Sequence, residues 1–176
     1  MKPTAPVGPT GAGDLRRPVL AVDVDGVVSL FDFDEPPEST KTCFELIDGV
    51  VHCISLSSGD RLRELGRHYD LVWASGWEDR TRRLGDLLDL PELPYLTFDG
   101  SARFGSANWK IRPLERYAAG RSLAWIDDSF DEECYQWARG RTEPTLLIAA
   151  DPQLGLQEAH LEALVGWARS LEVEGT

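Results

Sequence analysis

The sequence has no apolar run near the roughly 18 residues that a membrane-spanning helix needs, so no segment reads as a transmembrane span. Its first residues, MKPTAPVGPTGAGDLRRP, lack the apolar stretch of a secretory signal. Cysteine is scarce. Cys43, Cys53 and Cys134 are scattered, odd in number and without a CxxC pair, which argues against a disulfide framework or a zinc site and fits reduced thiols. Positive charge is in short supply, with 18 Lys and Arg against 30 Asp and Glu and a net charge of −12. A non-specific binder of long nucleic acid needs a basic face to displace counterions, and this chain has no surplus for one. A phosphorylated ligand remains compatible, because a bound divalent cation can reverse the local field. Together these absences predict a cytoplasmic protein with no membrane partner.

What is present is ordinary globular material: 176 residues, 42% hydrophobic and 27% charged, enough for one domain with a sizeable core. Pro, Gly and Thr dominate residues 1–17, which read as a disordered tail. From there, apolar strand-like runs alternate with helical patterns. Val19–Val24 and Asp70–Ser75 read as buried strands, and Ser122–Ile126 and the segment TLLIAA as further strands, of a parallel sheet. Helices are expected after Ser57 and Ser58, which could cap the first one, over Glu78–Leu90, after a cap at Asn108, over DEECYQWARG up to Gly140, and over the C-terminal stretch. Pro113 must then sit near the first turn or introduce a kink. Asp48-Gly49 between two apolar segments signals a β-hairpin. Alternating strands and helices imply an α/β fold with a mainly parallel sheet, whose ligand crevice lies beyond the carboxyl ends of the strands.

Three chemically notable stretches fall at those ends: Asp23 and Asp25, Ser75, and Asp127-Asp128. Burying unpaired carboxylates is costly. Four of them at one lip are tolerable if they hold a hard cation such as Mg²⁺, which prefers oxygen ligands. Each residue also has a plainer reading: Asp127-Asp128 as a helix cap, Lys110 as a solvated helix lysine, Ser75 as a turn serine. His52, His68 and His160 show no triad or metal spacing and read as structural. Trp73, Trp125 and Trp167 read as core, while Trp77 and Trp109, beside Ser75 and Lys110, could line a substrate pocket.

In that order, DVDGV (Asp23–Val27), LVWAS (Leu71–Ser75), Lys110 at a helix start, and WIDDSFDEE (Trp125–Glu133) resemble the four motifs of the haloacid dehalogenase (HAD) superfamily. The resemblance covers about residues 18–172, within a catalytic domain placed at 18–176. It implies a Rossmann-like three-layer sandwich with a small β-hairpin flap, about residues 27–56, after the first strand. It assigns Asp23 as the nucleophile on phosphorus and a metal ligand. Asp25 becomes the general acid and base, with its backbone carbonyl on the metal. Ser75 would hydrogen-bond the phosphoryl oxygens, and Lys110 would neutralise the charge on Asp23. Asp128 is the first choice for the remaining metal ligand and Asp127 the close alternative, with Asp131 or Glu132 supporting them. Glu132 stands where the superfamily often has its last Asp.

Asp25 bears on the reaction, since dehalogenases of this superfamily lack a second Asp. A halide leaves without a proton and an alkoxide does not, so phosphate ester hydrolysis through an aspartyl-phosphate is favoured. Only 35 positions separate Ser75 from Lys110, which leaves no room for a large cap. The expected substrate is a phosphate monoester: a nucleotide, a sugar phosphate or the phosphorylated end of a larger molecule. A non-catalytic HAD-fold binding protein is the alternative of a different class, and transfer to an alcohol rather than water stays open, as does the oligomeric state.

Overall fold

The computed structural model describes residues 17–35, 37–38, 41–100 and 105–174. Four parallel strands form the central sheet in the order β5-β1-β6-β7: β1 (Val19–Val22), β5 (Asp70–Trp73), β6 (Leu123–Asp127) and β7 (Thr145–Ala149). All four expected runs therefore become strands. β1 is central, with Val19 opposite both Asp70 and Leu123, and all four of its residues are buried. This is why it reads as a continuous apolar run rather than an alternating one.

Alternate side chains of each strand enter different cores. Leu20, Val22, Leu71, Trp73, Ala124 and Ile126 pack with α1 (Ser57–Leu65), α2 (Thr81–Leu87) and α5 (Glu158–Glu174). Val19, Ala21, Val72, Leu123 and Trp125 pack with α3 (Ile111–Tyr117) and α4 (Glu132–Gly140). The period of two along a strand thus places helices on both faces. Trp73 and Trp125 are core residues as expected, whereas Trp167 is only half-buried and stacks on Tyr69. Among the described residues no helix is long and apolar enough to cross a membrane, and all three cysteines are free thiols.

A second, antiparallel sheet follows β1: β2 (Ser29–Leu30), β3 (Thr42–Ile47) and β4 (Val50–Ser55), in the order β2-β4-β3. Asp48 and Gly49 both take positive φ, 50° and 82°. That is the turn an Asp-Gly pair favours between strands. Phe44, Leu46 and Val51 share one face of the hairpin, which stays exposed. The opposite side is tied to the body by ion pairs from Arg83 to Glu45 and from Arg80 to Asp48.

Several local expectations are corrected. Ser57 and Ser58 lie inside α1, whose N-cap is Leu56 with no side-chain cap. The helix expected over Glu78–Leu90 opens as a 3-10 turn, Glu78–Arg80, and becomes α-helical only over Thr81–Leu87. Asn108 caps no helix: it starts a second 3-10 turn, Asn108–Lys110, from which α3 continues, with Pro113 in its first turn. The expected N-terminal tail lies outside the described residues up to residue 16. Arg17 belongs to the folded body, donating to the carbonyls of Gly66 and Tyr69 and pairing with Asp70.

Candidate active site

The site forms where β1, β5 and β6 end side by side. The β1 ladder runs one residue on, with the Asp23 N–H donating to the Ile126 carbonyl at 3.1 Å. The chain then turns sharply. The N–H groups of Val27, Val28 and Ser29 all point to the Val24 carbonyl, and Gly26 donates to Ser29. Gly26 has φ +76°, and a Cβ there would lie 2.4 Å from Asp128 Cγ. The glycine of the DVDG stretch is thus required twice, by the turn and by the approach of the second acidic pair.

Asp23, Asp127 and Lys110 are 5%, 0% and 3% exposed. Lys110 Nζ lies 2.8 Å from Asp23 Oδ2 and 2.7 Å from Asp127 Oδ2. The remaining oxygens are also engaged. Asp23 Oδ1 accepts from the Val24 N–H, and Asp127 Oδ1 from the Ser129 N–H. Asp128, half-buried, accepts the Ser129 hydroxyl on Oδ1 at 2.8 Å. Asp23, Asp127 and Asp128 each offer an oxygen within 4.8 Å of the others.

Three carboxylates thus face one ammonium. Burial pushes the Asp23 carboxyl up to about 8; Lys110 opposes that rise and Asp127 adds to it. Burial also works against the Lys110 ammonium, but Asp23 and Asp127 outweigh it and its pKa is raised. Asp128 is raised as well, chiefly by burial, with the Ser129 hydrogen bond pulling the other way. A site that resists full ionisation in this way is one that a cation would complete.

The loop carrying Lys110 is held from α4. Asp131 caps that helix by accepting the Cys134 N–H at 3.0 Å. Its other oxygen accepts from the Ser106 hydroxyl and from Asn108 Nδ2. Those bonds, with the Ser106 one foremost, hold the Asp131 carboxyl below its ordinary value. One aspartate therefore ties the acidic pair's helix to the lysine's turn. Glu132 does not share this role: its carboxylate faces Arg139 at 2.7 Å, away from the cluster.

Asp25 stands apart from the acidic cluster. Its Oδ2 accepts the indole N–H of Trp77 at 2.9 Å. Ser75 is buried just beyond β5, and its hydroxyl oxygen accepts the backbone N–H of Trp77 at 3.4 Å. Trp109 is half-buried, with its ring 5.4 Å from Lys110 Nζ and edge-on to Phe98. Sequence reasoning placed Trp77 only as a pocket wall and His52 only as structural. In the fold His52 packs edge-on against Trp77 at 4.6 Å. No sequence signal could have paired Trp77 with Asp25, 52 positions away.

No protein-family model matches the chain, and no curated protein matches it. The solved structures it is similar to include a hypothetical protein from Xanthomonas campestris, aligned over 97% of this chain and 94% of that one at 13% identity, with a TM-score of 0.47.

Proposed function

We propose that the protein is a Mg²⁺-dependent phosphohydrolase of the HAD type, built on a Rossmann-like three-layer α/β sandwich with the hairpin as its small flap. The single observation that carries this reading is the buried cluster at the sheet's carboxyl edge. There one ammonium, Lys110, is clamped between Asp23 and Asp127 with Asp128 alongside. A purely structural ion pair would match one lysine to one acid. Here acid is in excess, and the excess faces one point.

The donor set fits a hard cation. Asp23, Asp127 and Asp128 would hold it, and Asp128 Oδ2 is the carboxylate oxygen left open once the Ser129 and Lys110 contacts are counted. When bound, the cation supplies positive charge to the oxygens of the phosphoryl group.

This chain's residues then have distinct tasks. An oxygen of Asp23 attacks phosphorus. The bond from phosphorus to the ester oxygen breaks, its electron pair stays on that oxygen, and Asp25 supplies the proton. Lys110 and Ser75 stabilise the phosphoryl oxygens. In the second step water attacks the phosphorus of the aspartyl-phosphate and gives its proton to Asp25, and the bond to Asp23 breaks, which restores the carboxylate. With a hairpin as the only flap among the described residues, the substrate class is broad: a nucleotide, a sugar phosphate or a phosphorylated end.

The test is phosphate release from an aryl phosphate and from a panel of natural esters, with Mg²⁺ and with excess EDTA. Release that needs Mg²⁺ is the expected result. Undiminished release in EDTA contradicts the mechanism, and no turnover on any ester moves the assignment to a non-catalytic binding protein.

A further inference from the structure

We propose that Trp77 is the positioning residue for Asp25, and that the hairpin acts on the reaction through it. This rests on the phosphohydrolase reading above. Among the described residues the Trp77 indole is the one side chain that donates to the Asp25 carboxylate, at 2.9 Å. An indole has one N–H and no acceptor. The oxygen it touches must therefore accept, and Oδ1 is the oxygen left to carry the proton to the leaving group. The contact thus selects one of two oxygens and fixes the plane of the carboxyl group.

The indole is itself held on every side. It is 5% exposed. Its backbone N–H donates to Ser75 Oγ at 3.4 Å. The Arg80 guanidinium lies 5.9 Å above the ring, and Arg80 Nε donates to the Trp77 carbonyl at 3.1 Å. His52, on β4, meets the ring edge-on at 4.6 Å, and His52 Nδ1 is 3.0 Å from the Ser29 hydroxyl. Ser29 in turn bridges to Asp25 through the backbone. Arg80 also reaches Asp48 in the hairpin turn at 3.4 Å. The indole is thus the junction of three parts: the turn after β1, the Ser75 loop and the hairpin. A tryptophan placed only for packing would satisfy its N–H on any acceptor, whereas this one uses the carboxyl group that the proposed chemistry needs aimed.

The experiment compares the rate of aspartyl-phosphate formation in single turnover for one alkyl and one aryl phosphate. Trp77→Phe keeps the ring and deletes the N–H. Misplacing a reacting group by about 1 Å can cost on the order of 100-fold. Trp77→Phe should therefore slow the alkyl ester by about tenfold or more and the aryl ester much less, because nitrophenolate needs little proton help. Adding Trp77→Phe to Asp25→Ala should slow the reaction no further. His52→Leu, which leaves the indole in place but removes its edge contact, should show the same ester dependence more weakly, and it serves if Trp77→Phe does not fold. Equal slowing of both esters, or effects of Trp77→Phe and Asp25→Ala that multiply, would overturn the assignment while leaving the phosphohydrolase reading standing. A wild-type protein that turns over no ester overturns that reading first, and the positioning role with it.

Discussion

The lip of the parallel sheet and the outer face of the hairpin invert the usual rule of burial. At the lip, Asp23, Asp127 and Lys110 are withdrawn from water, while on the hairpin Leu46 and Val51 are 62% and 64% exposed. Acidic and lysine side chains are almost never fully buried unless paired, and a cluster of exposed apolar residues is the informative exception at a surface. A chain selected for stability alone would exchange the two. The lip spends stability on charge held at a fixed place. The hairpin loses little, because its register is set by the Asp48-Gly49 turn and by the buried side that faces Trp77. The difference teaches where to look for chemistry: carboxylates and a lysine withdrawn from water at the edge of a sheet are the feature that stability alone does not explain.

The comparison can be broken most forcefully at Lys110. Lys110→Met leaves Asp23 and Asp127 buried without their counter-charge, and breaking a buried pair costs about 3–5 kcal/mol. Denaturant unfolding should show that loss, and turnover should vanish. An unchanged midpoint would mean that the cluster is wetter than its burial implies.

Asp23→Asn has a different signature. The folded-state carboxyl is raised from 3.8 to about 8, so its contribution to metal-free stability is complete below about pH 4 and lost as the pH climbs through about 8. The melting temperature of the metal-free wild type should fall over that window, and the fall should flatten in Asp23→Asn. Mg²⁺ should raise the wild-type melting temperature and not that of the variant. Turnover should be absent, since an amide is not the required nucleophile. A variant that keeps a substantial share of the rate contradicts the assignment of Asp23.

Gly26→Ala joins the two halves of the site. A left-handed conformation costs a non-glycine residue about 1–2 kcal/mol, and the new methyl would displace Asp128. Thermal unfolding should register the first effect, and Mg²⁺ titration a weakened affinity from the second. The smallest expected change is on the hairpin. Leu46→Ser or Val51→Thr should alter stability by no more than about 0.5 kcal/mol. A loss of core magnitude there would erase the contrast between the two regions.

The strands were legible because a strand covered on both faces leaves an unbroken apolar run, as Val19–Val22 and residues 123–126 do. The hairpin was legible through one turn dipeptide. The acidic cluster was legible as a juxtaposition because Asp23 and Asp127-Asp128 fall at the carboxyl ends of neighbouring parallel strands. Helix starts were legible only in part: α4 begins at its Asp131 cap as expected, but Asn108, a good cap by type, is drawn instead to Asp131 and Glu133. Glu78 takes φ +48° and its carboxylate accepts the Phe98 N–H, so the helix begins three residues late. Glu132 looked like a supporting acid by spacing, but it faces outward to Arg139. These misses share a cause. Local preference competes with partners supplied by distant segments, and a linear pattern does not show those partners.

The central claim is that Asp23 is the group that takes the phosphoryl group from a phosphate monoester. Rapid acid quench of wild-type and Asp25→Ala protein, mixed with an aryl phosphate and Mg²⁺, tests it directly, with mass spectrometry of the peptide that spans β1 and its turn. The account predicts one added phosphoryl group on Asp23, transient in the wild type and accumulating in Asp25→Ala, and none in EDTA. Phosphate released over many turnovers with Asp23 never modified in either protein would contradict it.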